Sequence, residues 1–236
     1  TSVVIIFTIG SLYFISLCSI KVCVSPFLKY NTFLVLVTTL ALGMVFEGIV
    51  SLLFGVQVES LPATEWNTSI DWNGLYITPL QVFIISITII SVCTLAYLMH
   101  SSSIGRKIRA ISEHPSAAQA LGANYTLATE LSFVIGALMA GTAGVLIGFD
   151  TSLQPTMGTV YTIKAFAAMM LGGLGNIWGA IIGAYLLGLV ENISIGLDLG
   201  AYSIPAGYRD SFAFLLIVGV LIIRPQGLFG EKVRKS

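Results

Sequence analysis

The sequence predicts an all-α, polytopic transmembrane helix bundle with about seven membrane segments, one of them broken or re-entrant. Composition is the first reason: hydrophobic residues make up 56% of the chain and charged residues 9%, whereas soluble domains are about a quarter charged. The second is length, because several apolar runs reach the roughly twenty residues that cross a hydrocarbon core. The third is charge layout. Nine of the eleven lysines and arginines gather in three places, Lys21 with Lys29, Arg106 with Lys107 and Arg109, and Arg224 with Lys232, Arg234 and Lys235. The positive-inside rule puts those three places in the cytoplasm. Residues 57–76 carry Glu59, Glu65 and Asp71 and no basic residue, so they read as external.

Taken in order, residues 2–20 form a first span that ends in the cytoplasm at Lys21 and Lys29, and residues 32–54 return outward. Glu47 lies in that second span and is costly there unless protonated, paired or facing a wet cavity. Residues 57–76, with Pro62, Trp66 and Trp72, read as an external loop, or as an interfacial helix or lid, with tryptophans suited to the membrane interface. Residues 77–99 run back inward. Residues 126–149 exit again, and in them Gly136, Ala140, Gly144 and Gly148 recur every four residues. A second ladder is Gly175, Gly179 and Gly183. Small residues at that spacing share one helix face and admit a second backbone, so the ladders predict two tightly packed helices near the centre of the bundle; the alternative is glycine-rich helices that face lipid.

Residues 161–190 must cross an even number of times, because 208–224 still has to run inward to the basic tail. Two short spans, or a re-entrant hairpin that breaks at Gly172-Gly173-Leu174-Gly175, both satisfy the count. Broken helices are tolerated in membranes where protein or water covers the freed backbone groups, which is where transport paths run. Lys164, inside this region, is expected to pair with a carboxylate or a helix C-terminus. Together with Glu47 it is a candidate for the substrate path.

Between these spans stands a polar, basic stretch, residues 105–122, GRKIRAISEHPSAAQALG. Pro115 and Gly122 bracket a short helix of small and polar residues, too polar to bury in lipid. It is either a surface for a soluble partner's groove or an ordinary loop with one helical turn.

Catalysis has no support. Gly173-x-Gly175 lacks the lysine, the following Ser or Thr and the strand context of a nucleotide loop. Cys18, Cys23, Cys93, His100 and His114 show no metal-ligand spacing, and nucleic-acid binding has no basic groove or aromatic platform. No catalytic residue, metal or cofactor is expected. Membrane lipid is the expected surrounding.

The pattern Ala117-Ala118-x3-Gly122 resembles the EAA loop of importer-type ABC permeases, the coupling helix that docks on an ATPase subunit. The wider string, with FVIGALMAGTAGVL, KAFAAMMLGGLGNIWGAIIGAYLLGLVE and RPQGLFG, resembles branched-chain amino acid permeases of the LivH and LivM type over residues 77–230. One departure is Ser116, where the general pattern has glutamate; Glu113 lies one turn earlier.

The resemblance implies one transmembrane permease domain over residues 1–236, incomplete at its N-terminus, with a cytoplasmic coupling loop at 100–126. It implies a multi-pass plasma-membrane protein, in bacteria the inner membrane, with its C-terminus in the cytoplasm. ATP hydrolysis would belong to ABC ATPase subunits contacted by Arg109, Ala110, Glu113, Ala117, Ala118 and Gly122. A second permease subunit, homologous or identical, and an extracytoplasmic substrate-binding protein complete the implied importer. Gly136, Ala140, Gly144, Gly172, Gly173, Gly175, Gly179 and Gly183 would serve helix packing during translocation. The alternatives are a permease of this type for urea, amides or sugars, and a self-sufficient secondary carrier or channel in which Glu47 and Lys164 couple ions.

Overall fold

The structure, a computed structural model, describes residues 10, 15–21, 26, 32–59, 70–72, 75–173, 175–196, 209–224 and 226–230. The chain divides into two compact units, Thr1–Pro155 and Thr156–Ser236.

The first unit holds α1 (Thr32–Phe54), β1 (Ile70–Trp72), β2 (Leu75–Ile77), α2 (Pro79–Ser101), α3 (Ser103–Glu113), α4 (Pro115–Ala120) and α5 (Tyr125–Asp150). Helices α1 and α2 have 23 residues each, about 34 Å at 1.5 Å per residue, enough for a hydrocarbon core of about 30 Å. No residue of α2, or of the apolar window Val37–Phe54 in α1, is buried. A helix that is apolar all round and has no residue fully buried by its own chain is suited to lipid or to another subunit.

Local chemistry sets the helix starts. Helix α2 begins two residues later than predicted because Thr78 and Gln81 form a capping box. The Gln81 amide donates to Thr78 Oγ1 at 3.3 Å, and the Thr78 amide donates to Gln81 Oε1 at 3.2 Å. Pro79 takes the first helical position, where its missing N–H is no loss. Helix α5 starts behind Asn124, whose side-chain oxygen accepts from the Leu127 amide at 3.2 Å, a standard N-cap bond.

One feature departs from an all-helical chain. Strands β1 and β2 form an antiparallel ribbon with Ile70 opposite Ile77, Asp71 opposite Tyr76 and Trp72 opposite Leu75. The sequence between them is Asn73-Gly74, the dipeptide most favoured in two-residue hairpin connections. That signal was present in a segment expected to be loop, interfacial helix or lid. Glu59 and Leu153 form a further antiparallel bridge, with N–H to O distances of 3.0 and 2.6 Å, so α1 and α5 end on the same side of this unit. Pro62 and Trp66 lie outside the described residues.

The second unit holds α6 (Met157–Gly172), α7 (Ile177–Gly196) and α8 (Arg209–Ile223). Helices α6 and α7 are bent by 119° where they meet at the predicted glycine break. Ala167 and Leu171 of α6, Leu187 of α7 and Ile217 of α8 form the core, with Leu186, Val220, Leu221 and Leu228 packed against it. Among the described residues three helices are long and apolar enough to cross a membrane, or four spans if the bent pair counts as one. The predicted seven are not reached there: most of residues 2–20 lies outside the described residues, and α8, with 15 residues, is shorter than the roughly twenty a full span needs.

Candidate functional site

The polar stretch folds as a helical hairpin, α3 and α4, attached to the end of α2. Ser102 separates α2 from α3, and its hydroxyl accepts from the Ile104 amide at 3.1 Å. So tight a turn requires glycine at 105, because a Cβ there would strike the carbonyl oxygens of Leu98 and Met99. Arg106 Nη1 donates to the Ser101 carbonyl at 3.0 Å and Arg109 Nη2 to the His100 carbonyl at 3.5 Å. Two of the three clustered basic residues therefore meet carbonyls that the end of α2 leaves unpaired.

Helix α4 ends in a Schellman motif. The Ala123 amide donates to the Ala118 carbonyl and the Gly122 amide to the Gln119 carbonyl, both at 2.9 Å. Gly122 takes φ +87°, a conformation that costs other L-residues about 1–2 kcal/mol. Ala118 is 5% exposed and packs with Ile111 of α3 and Ala128 of α5. Expected on the partner surface, its side chain is instead enclosed by its own chain. Arg109, Ala110, Glu113, Ala117 and Gly122 are all exposed, so the hairpin presents them while Ala118 anchors it.

The two small-residue ladders have different fates. Cβ atoms added at Gly136 or Gly144 would meet nothing within 4 Å, and Ala140 is exposed. Among the described residues only Gly148, the last member of that ladder, approaches a neighbour, the Leu153 side chain. In the second unit the ladder is a seam of backbone contact. A Cβ at Gly179 would lie 2.5 Å from the Gly172 carbonyl oxygen, one at Gly172 would strike the Gly179 carbonyl, and one at Gly183 the Ala168 carbonyl. Gly175 stands outside the seam, exposed and with no neighbour within 4 Å. Its place is the turn, with φ +91° beside Gly173 at +108°.

The break at 173–176 is covered by the RPQGLFG segment. The Leu228 amide donates to the Leu171 carbonyl at 2.8 Å and the Phe229 amide to the Gly172 carbonyl at 3.0 Å. Those carbonyls belong to the last turn of α6, which has no helical partner for them. The approach is close enough that a Cβ at Gly227 would lie 2.6 Å from Gly173 Cα. On the other side of the break, Asn176 caps α7 by accepting from the Gly179 amide at 3.1 Å. The tail thus supplies the cover that a broken membrane helix needs. Leu228→Pro removes one of its donors and is expected to cost about 1–3 kcal/mol. The check is thermal unfolding of the purified protein beside Leu228→Ala, which keeps the N–H; a melting point for the proline variant equal to the alanine variant's would refute the capping role.

Lys164 finds its carboxylate. Its Nζ lies 3.0 Å from Glu191 Oε1, with the lysine side chain 22% exposed and the glutamate 6%. Both extend the seam. Lys164, Ala168 and Gly172 share one face of α6 at four-residue spacing, as Gly179, Gly183, Leu187 and Glu191 do on α7. The sequence signal for Glu191 was the continuation of its own ladder, eight residues past Gly183. Glu47, the other candidate for the substrate path, lies in the first unit, partly exposed in the apolar window of α1.

A family model described as branched-chain amino acid transport system / permease component matches residues 2–221. LivH of Escherichia coli (strain K12), a high-affinity branched-chain amino acid transport system permease protein, is 33% identical over 216 residues, 89% of this chain and 68% of its own length. BraD of Pseudomonas aeruginosa, a permease protein of the same kind of system, is 37% identical over 160 residues, 67% of this chain and 50% of its own. LsrC of Yersinia pseudotuberculosis, an autoinducer 2 import system permease protein, is 30% identical over 199 residues, 79% of this chain and 53% of its own. No solved structure matches the chain. With its apolar spans, its broken helix pair and these relatives, the chain belongs to the permease-component family of branched-chain amino acid transport systems, as a membrane-embedded transport subunit.

Proposed function

We propose that the chain is the translocating subunit of an ABC importer for branched-chain or related amino acids, working with separate ATPase subunits, a second permease subunit and an extracytoplasmic binding protein. In this reading the α3–α4 hairpin and the C-terminus face the cytoplasm of a bacterial-type inner membrane, as the clustered lysines and arginines favour. The observation that carries the reading is the build of the hairpin. Ala118, Ile111 and Ala128 lock it to α5, while Arg109, Ala110, Glu113 and Ala117 stay exposed around it. A helix so anchored moves with whatever grips its outer face. ATP binding that draws two ATPase subunits together would then bias the bundle between inward-open and outward-open packings.

Ala117→Arg tests the docking surface without touching the anchor. Co-purification of the ATPase from native membranes is expected to be lost in that variant, while the permease stays at its normal level and melting point. Retention of the ATPase at wild-type stoichiometry would refute the assignment. Ala118→Arg is the wrong probe, since it would force a charge into the anchor and unfold the hairpin by itself.

A further inference from the structure

Glu191 and Lys164 face each other across the α6–α7 seam, and nothing in the packing of that seam requires charge. Nearer the break, Gly172 with Gly179 and Ala168 with Gly183 bring the backbones together through small residues. One helical turn beyond Ala168 on α6, and two turns beyond Gly183 on α7, the same faces carry a lysine and an almost fully buried glutamate. Two apolar side chains of similar volume would hold the helices at least as well, because desolvating an ion pair offsets most of its attraction. Charges kept inside membrane spans mark substrate or ion paths, and broken helix pairs mark binding sites.

Resting on the amino-acid reading above, we propose that this pair holds the head group of the substrate in transit. A zwitterionic amino acid carries one ammonium and one carboxylate on a single carbon. Inserted between the partners, it would give its carboxylate to Lys164 Nζ and its ammonium to the Glu191 carboxylate, exchanging one internal ion pair for two. Site and substrate are each neutral, so no net charge enters the low-dielectric interior at any stage. The lysine, more exposed than the glutamate, meets the carboxylate first; the buried glutamate then selects for the ammonium. This site reads the common head of amino acids and leaves side-chain selection to other surfaces.

The test uses the complete wild-type importer, purified with its partner subunits. Dicyclohexylcarbodiimide labels buried carboxyls, and labelling of Glu191 is followed by peptide mass spectrometry. Leucine is expected to slow it, and 4-methylpentanoate, the same molecule without its ammonium, is not. In binding assays with labelled ligands, Glu191→Gln should weaken leucine roughly 10- to 100-fold, the range for a lost hydrogen bond to a charged group, and leave 4-methylpentanoate unchanged. Lys164→Met should weaken both. If the wild-type importer takes up leucine but Glu191 labels at the same rate with and without it, the inference fails and the function stands. It fails equally if Lys164→Met/Glu191→Leu binds leucine as the wild type does. A wild-type importer that neither binds nor takes up leucine or any other amino acid overturns the amino-acid reading, and this inference with it.

Discussion

Leucine in place of Gly179 is expected to abolish uptake while the ATPase still co-purifies. The α6–α7 seam has no room for a side chain at this position: a Cβ would lie 2.5 Å from the Gly172 carbonyl oxygen and 3.1 Å from Phe229 Cβ. The first of these is backbone and has no rotamer to adopt, so the helices must separate. Overpacking a tight core costs about 1–3 kcal/mol, and here it also pulls the Leu228 and Phe229 amides away from the carbonyls they cover at the break. The α3–α4 hairpin belongs to the other compact unit, so ATPase docking should survive. Uptake by membrane vesicles, alongside ATPase co-purification, checks both halves. Uptake near the wild-type rate would show that the seam is not needed for transport. By contrast, Gly136→Leu is expected to leave the isolated subunit folded, since a side chain there meets nothing within 4 Å.

Removing one partner of the Lys164–Glu191 pair is expected to destabilise the protein more than removing both. Lys164→Met takes the lysine away from a carboxylate with 6% of its side chain exposed, and breaking a buried ion pair by removing one partner costs about 3–5 kcal/mol. Lys164→Met/Glu191→Leu removes the carboxylate as well and should recover most of that loss. The comparison is a double-mutant cycle read by thermal unfolding in detergent. Additive effects of the two single substitutions would show that the charges do not interact. Recovered stability with transport still absent is the joint outcome expected from the pair's proposed role in holding substrate.

Much of this architecture was legible in the residues. The spans at 32–54, 77–99 and 126–149 come within two residues of α1, α2 and α5, because twenty apolar residues in a row have few other ways to satisfy their backbone. Pro115 and Gly122 bracketed α4 for equally local reasons, and the glycines at 172–175 marked the break between α6 and α7. The ribbon of Ile70–Trp72 and Leu75–Ile77 differs from the expected loop, interfacial helix or lid: Asn73-Gly74 is its local signal, while the aromatic and acidic residues of the same segment suit a membrane interface equally well.

Composition, charge layout and periodicity therefore determined what kind of protein this is, where its helices run and where it breaks. These are properties of neighbouring residues. What only the tertiary structure decided are contacts between residues distant in the chain. Two ladders with the same spacing differ, Gly179 and Gly183 meeting a backbone and Gly136 and Gly144 meeting nothing among the described residues, because spacing says which residues share a face and not what comes to meet it. Ala117 and Ala118 differ by one residue, about 100° around a helix, and six residues are too few to show which points inward. Lys164 met Glu191, and RPQGLFG met the end of α6 more than fifty residues earlier in the chain, only because folding closed the distance between them.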